Sequence, residues 1–147
     1  MTDTTIREPR EEELDRLVDI WLKCSLISHH FIDAHYWQEQ KDAMRGLYLP
    51  LSENYVAEVE ERIVGFVSMM GDYMAALFIE PEYQRRKIGR SLLQYVKQNR
   101  EAIHLKVYAK NGDAVNFYKQ NGFHISGTGR DEATGEEELF MEWRKKD

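Results

Sequence analysis

The sequence predicts a mixed α/β fold with elements in the order β-α-α-β-β-β-α-β-α-β-β. Three observations carry this. Apolar residues recur at helical spacing ahead of Pro50, then alternate with a period of two as far as Ile79. Beyond Pro81 comes a helix and then another strand, a crossover that places its flanking strands parallel. The 147 residues include 42% hydrophobic and 12% aromatic side chains, a composition that supports one respectable core. No repeat, low-complexity tract or linker interrupts them, so residues 1–147 are read as a single domain.

Thr4–Glu8 forms a short first strand, closed by Pro9. Glu11–Cys24 is a helix, since Leu14, Leu17, Val18 and Trp21 share a face and Glu11–Glu13 complement the helix dipole in the first turn. Ser25–Ile32 reads as irregular, and Asp33 then caps a second helix carrying Trp37, Met44 and Leu47. Tyr55–Val59 and Arg62–Met70 make an antiparallel hairpin around Glu60–Glu61, and Gly71–Asp72 turns into the strand Tyr73–Ile79. Ile88–Asn99 is helical, Ile103–Tyr108 a strand, and Ala114–Asn121 a short helix with Gly122 as its C-cap. Phe123–Gly127 and Leu139–Arg144 form the last hairpin around a loop of about a dozen residues.

The bulk properties exclude several classes. A net charge of -6 argues against nucleic acid, which wants a basic face. It suits a cationic substrate and equally suits plain solubility. Cys24 stands alone, which excludes an internal disulfide and fits a reducing cytosol. The opening residues MTDTTIREPR lack the apolar core of a secretory signal, and no stretch reaches the roughly eighteen apolar residues of a membrane span. The expectation is a cytoplasmic protein without membrane or nucleic-acid partners, as monomer or homodimer.

One segment points to an anion. Gln84-Arg85-Arg86-Lys87-Ile88-Gly89-Arg90 joins the strand ending at Ile79 to the helix starting at Ile88. Unpaired N–H groups at a helix start attract anions, whereas cationic side chains there oppose the dipole. Arg85, Arg86, Lys87 and Arg90 crowd that turn, and a bound polyphosphate would offset their placement. A solvated basic helix start is the other reading. Neither the nucleotide-triphosphate loop nor the dinucleotide fingerprint is present.

Gln84-Arg85-Arg86-Lys87-Ile88-Gly89 resembles the Q/R-x-x-G-x-G/A pyrophosphate loop of the GNAT N-acetyltransferases, with Lys87 in place of the first glycine. Glycine there lets backbone approach phosphate. Lysine must adopt a compatible backbone and can add a salt bridge. Asn111-Gly112-Asp113-Ala114-Val115-Asn116-Phe117-Tyr118-Lys119-Gln120-Asn121-Gly122-Phe123 is similar throughout to the family's N-x-x-A-x-x-F-Y-x-x-x-G-F block. The resemblance in element order covers nearly the whole chain and extends to small single-domain bacterial members of the YjaB/YiaC-like group.

The resemblance implies an acetyltransferase with acetyl-CoA as donor and a primary amine as acceptor, either a protein lysine, an N-terminus or a small molecule. It implies cofactor contacts from Leu77, Phe78 and Ile79, from the loop Gln84–Arg90 (Arg85, Arg86, Lys87, Ile88 and Gly89 included), and from Asn111, Ala114 and Phe117. A backbone N–H near Phe78 would be the oxyanion donor. Tyr118 would be general acid to the departing sulfur, because phenol and thiol pKa values lie close enough to share a proton. Tyr118 as a core aromatic is the competing reading. For the base, some relatives use a strand glutamate where this chain has Lys106, which leaves water or His30. His30 lies in Ser28-His29-His30-Phe31, similar to a [T/S]-H-x-F loop at the acceptor mouth of the small bacterial members. His29, His30 and His35 fit no standard zinc spacing, so no metal is expected. Glu132, Glu136, Glu137 and Glu138 offer either a cation attractor or a solvated acidic turn. A non-catalytic acyl-CoA-binding module is the alternative to an enzyme.

Overall fold

The computed structural model describes residues 3–146. One seven-stranded sheet runs through it, ordered β1-β2-β3-β4-β5-β7-β6. The strands are β1 (Thr4–Arg7), β2 (Glu53–Val59), β3 (Arg62–Met70), β4 (Tyr73–Ile79), β5 (Ala102–Tyr108), β6 (His124–Arg130) and β7 (Glu137–Arg144). Helices α1 (Leu14–Ser28) and α2 (Ala34–Ala43) cover one face, while α4 (Ile88–Lys97) and α5 (Gly112–Gln120) cover the other. The β2–β3 turn puts Glu60 and Glu61 at φ 52° and 66°, the paired left-handed geometry of a tight hairpin.

Each face buries its own core. Leu92, Leu93 and Val96 of α4 pack on Val67, Ile103 and Met141. On the far face Leu17, Ile20 and Trp21 of α1 pack on Val56 and Phe66. In a regular strand Met74 and Ala76 would share a face, yet they belong to opposite cores. The register slips between Ser68 and Met69, opposite Ala76 and Met74, so Ala75 is an inserted residue that turns β4 over.

That bulge lies beside the gap that positions the site. Strands β4 and β5 are parallel, but among the described residues their register holds at one pair, Tyr73 with His104. Toward Ile79 and Tyr108 they part.

Four boundaries differ from the sequence reading. Helix α1 continues to Ser28, since Ser25 is fully buried one turn beyond Trp21. The second helix passes through a π-helical stretch, Met44–Tyr48, into α3 (Leu49–Leu51), which contains Pro50. In a regular helix the Pro50 ring would meet the carbonyl four residues back, at Gly46, and widening to π relieves that clash. Gly122, at φ 90°, follows the true C-cap Asn121. The last hairpin turns over Asp131–Glu136 rather than a dozen residues, because Asp131 N–H bonds Glu136 O at 2.9 Å and Gly135 N–H bonds Asp131 O at 2.7 Å. A bulge at Ser126 keeps β6 in register past the point where alternation fades.

Candidate active site

The phosphate-loop segment has the conformation its sequence requires. Arg85 and Lys87 both adopt left-handed backbone, at φ 66° and 64°. Lysine thus takes the geometry that glycine would have supplied, at a cost of about 1 kcal/mol for each such residue. Alternating left-handed residues turn successive N–H groups inward as an anion-binding nest. Lys87 caps α4 with no side-chain bond, leaving the N–H groups of that first turn open. Arg85, Arg86, Lys87 and Arg90 are all exposed, and the Arg86 guanidinium lies 5.1 Å from the Tyr83 ring centroid. Gln84 closes the base of the loop by donating to Ile79 O at 3.0 Å.

The two motifs meet at Gly89. A Cβ there would lie 3.3 Å from Phe117, so glycine lets the α4 start press against α5. Ile88 is buried beneath it. Glu80, whose carboxylate is 1% exposed, ties the strand end to α1 through Arg16 at 3.2 Å and Lys23 at 3.1 Å. The Cys24 thiol donates to Ile79 O at 3.2 Å, and burial, followed by the Glu80 charge, pushes its pKa up to about 12. That thiol is inert.

The parted strands enclose a cavity of about 470 Å³. Leu77, Phe78, Asn111, Ala114 and Tyr118 line it, so five of the sequence-derived residues converge there. Ile79 and Phe117 stand behind this lining as partly buried packing. Tyr118 is buried in the α4/α5 core, and burial pushes its phenol pKa up. The residue also lines the cavity. Its side chain is thus shared between the core and the cavity wall.

The opposite wall is aromatic, formed by Trp21, Tyr36, Trp37 and Tyr108 around His29. Asn111 Oδ1 accepts from Ala114 N–H at 3.3 Å as the cap of α5, so its amide NH₂ is the group that meets His29 Nε2 at 3.2 Å. His29 therefore accepts at Nε2 as a neutral ring and carries its proton on Nδ1. Burial agrees, pulling its pKa down to about 4. Among the described residues Nδ1 has no partner, nor do the buried Ser25 Oγ and Trp37 Nε1 in the same wall. Tyr108 donates to Asp131 at 2.7 Å, and burial together with that bond raises its pKa.

His30, the sequence's candidate base, is exposed, with Nδ1 3.3 Å from Ile27 O, and does not line the cavity. The turn that ends α1 sends consecutive residues opposite ways. His35 pairs with Glu39 at 2.9 Å on the surface. Sequence reasoning missed His29, although the [T/S]-H-x-F pattern read from Ser28 puts its histidine there.

Comparison with known proteins agrees with this architecture. A family profile described as Acetyltransferase (GNAT) domain matches residues 50–125. The chain belongs to the GNAT acetyltransferases. It is 39% identical to the peptidyl-lysine N-acetyltransferase YiaC of Escherichia coli, over 94% of this chain and 95% of that protein. It is 36% identical to the E. coli peptidyl-lysine N-acetyltransferase YjaB over 84% of each. The solution structure of apo-form YjaB superimposes with a TM-score of 0.86 at 32% identity, covering 96% of this chain and 97% of that one. As a GNAT member the chain is an acetyl-CoA-dependent N-acetyltransferase, which sets aside the non-catalytic alternative. Among the described residues no helix is long and apolar enough to cross a membrane, and no cluster of metal-ligating groups occurs.

Proposed function

We propose that this acetyltransferase modifies the ε-amine of lysine residues in proteins. The observation that carries the reading is the near full-length likeness to two peptidyl-lysine N-acetyltransferases, at 39% and 36% identity. The aromatic wall facing Tyr118 supports it, since rings of this kind accept an aliphatic stem carrying a charge.

The residues fit the donor. The nest at Arg85–Lys87 and the uncapped start of α4 would hold the pyrophosphate, with Gln84 shaping the loop and Arg86 and Arg90 supplying charge. Leu77, Phe78 and Ile79 would present backbone to the pantetheine arm, and Asn111, Ala114 and Phe117 would border it. Acetyl-CoA brings an activated thioester. Tyr118, its phenol kept protonated by burial, donates to the departing sulfur. A backbone N–H near Phe78 stabilises charge developing on the acetyl oxygen. His29, neutral and hydrogen-bonded through Nε2, holds Asn111 in place instead of acting as base. Deprotonation of the acceptor falls to water.

The test is turnover of an N-terminally blocked lysine peptide with acetyl-CoA, read by free-thiol release and by the mass of the product, alongside spermidine and an unblocked lysine-free peptide. The blocked lysine peptide is expected to give the highest kcat/KM. A higher value for spermidine or for the α-amine would overturn the lysine assignment.

A further inference from the structure

We propose that Glu138 is the anchor for the acceptor's ammonium group, the cationic end of a long primary-amine chain. This deepens the lysine reading above, and rests on it for the identity of the chain that brings the charge.

Glu138 stands opposite Tyr108 in the antiparallel β5–β7 register, so both side chains project on the α1/α2 face. It is partly buried and, among the described residues, is the one carboxylate bordering the cavity. Neighbouring acids are committed elsewhere or point away. Asp131 accepts from the Tyr108 hydroxyl at 2.7 Å and from Ala133 N–H at 3.0 Å. Glu136 pairs with Lys110 at 3.1 Å. Glu132 and Glu137 are exposed and do not border the cavity. The one cation in the cavity wall, Lys106, lies 5.8 Å from the Phe140 ring and forms no ion pair among the described residues.

Glu138 is thereby left without a hydrogen bond or ion pair among the described residues, in a half-sheltered place where an unpaired carboxylate is costly. Burial and the Asp131 charge push its pKa up, and Lys106 only partly opposes them. A neutral or anionic ligand would leave that cost standing. An ammonium group would relieve it, with Tyr36, Tyr73 and Tyr108 around the cavity to receive the methylene stem and the charge. The site thus divides by charge: cations on the loop for the donor, one free carboxylate for the acceptor.

The experiment compares wild type, Glu138→Gln and Asp131→Asn with the blocked lysine peptide at saturating acetyl-CoA. Glu138→Gln is expected to raise the peptide KM about tenfold or more while acetyl-CoA affinity stays unchanged, which also reports an intact fold. Asp131→Asn is expected to change KM much less, because its carboxylate is already bonded. Equal losses in the two variants, or an unchanged KM in Glu138→Gln, would overturn the proposal. Calorimetric titration of n-butylamine and n-butanol into CoA-loaded protein provides a readout independent of turnover. Wild type should prefer the amine, and Glu138→Gln should lose that preference. If no peptide is acetylated, the lysine reading fails, while the n-butylamine titration still decides the role of Glu138. Equal amine binding by wild type and variant would end it.

Discussion

The phosphate-loop segment is shaped by backbone, whereas the α1/α2 wall of the cavity is built from side chains. Left-handed Arg85 and Lys87 and the uncapped start of α4 need only seven consecutive residues, Gln84–Arg90, to specify them. The proposed acceptor wall draws Trp21 from α1, His29 from the turn that ends it, Tyr36 and Trp37 from α2, Tyr108 from β5 and Glu138 from β7. A site for a constant partner, as proposed for this loop, can be written locally, because backbone N–H groups at a helix start serve any phosphate alike. A site for a chosen acceptor is assembled from distant elements, and can be changed one side chain at a time.

The sharpest way to break this division is at Tyr118, which lines the cavity and is the proposed acid for the departing sulfur. Tyr118→Phe should lower kcat by about 10²–10⁴-fold, measured by thiol release, with acetyl-CoA affinity by calorimetry unchanged. A loss of affinity of similar size would instead place Tyr118 with the donor site. Next comes Glu80, the tie between α1 and the strand that feeds the loop. Glu80→Ala strands two cations and should cost about 3 kcal/mol of unfolding free energy, at the low end for a buried pair because Arg16 and Lys23 keep solvent contact. Urea titration checks it.

His29 tests the acceptor wall through pH. Its folded pKa, about 4, lies below its ordinary value of 6.5, so the unfolded chain binds the proton that the folded chain refuses. Stability attributable to His29 is therefore unaffected above about pH 6.5 and falls as pH drops toward 4, by up to about 1.4 kcal/mol per unit. His29→Gln should flatten that slope, and an unchanged slope would show that the ring is already accessible to protons. The smallest effect is expected at Lys87. Lys87→Gly should stabilise the ligand-free protein by about 1 kcal/mol by removing left-handed strain, while weakening acetyl-CoA binding through the lost charge. Thermal melts with and without acetyl-CoA separate the two. Their shifts should carry opposite signs.

How much could be read from the sequence follows the same division. Period-two alternation located β3 and β4, and the crossover placed β5 parallel to β4, because these depend on local pattern and chain handedness. The Asn111–Phe123 block located Ala114 and Tyr118 for the same reason. The contact between Asn111 and His29 joins residues 82 positions apart, and no local pattern announces it. Pro50 read as a break because the relief at Gly46 depends on a π turn that no propensity announces. The hairpin turn read too long because Ser126 shifts the alternation by one. Glu138 was one acid among several until the register of β7 separated it from Glu137 and Glu136.

The single rung between Tyr73 and His104 also bears on how the molecule holds together. It is the hydrogen-bonded seam between one half of the sheet, β1 through β4, and the other, β5 with β7 and β6. Above it, the edges of β4 and β5 face each other with a slot between them, so a linear ligand lying there would act as a splint across two plates. Its presence would be felt as resistance to shear, slowing amide exchange along residues 76–79 and 105–108 in both halves together. Occupancy at a hundred times Kd would add about 2.7 kcal/mol to the folded state. A protein of this build is at its stiffest when loaded, and the donor would set the rigidity with which the aromatic wall meets its acceptor.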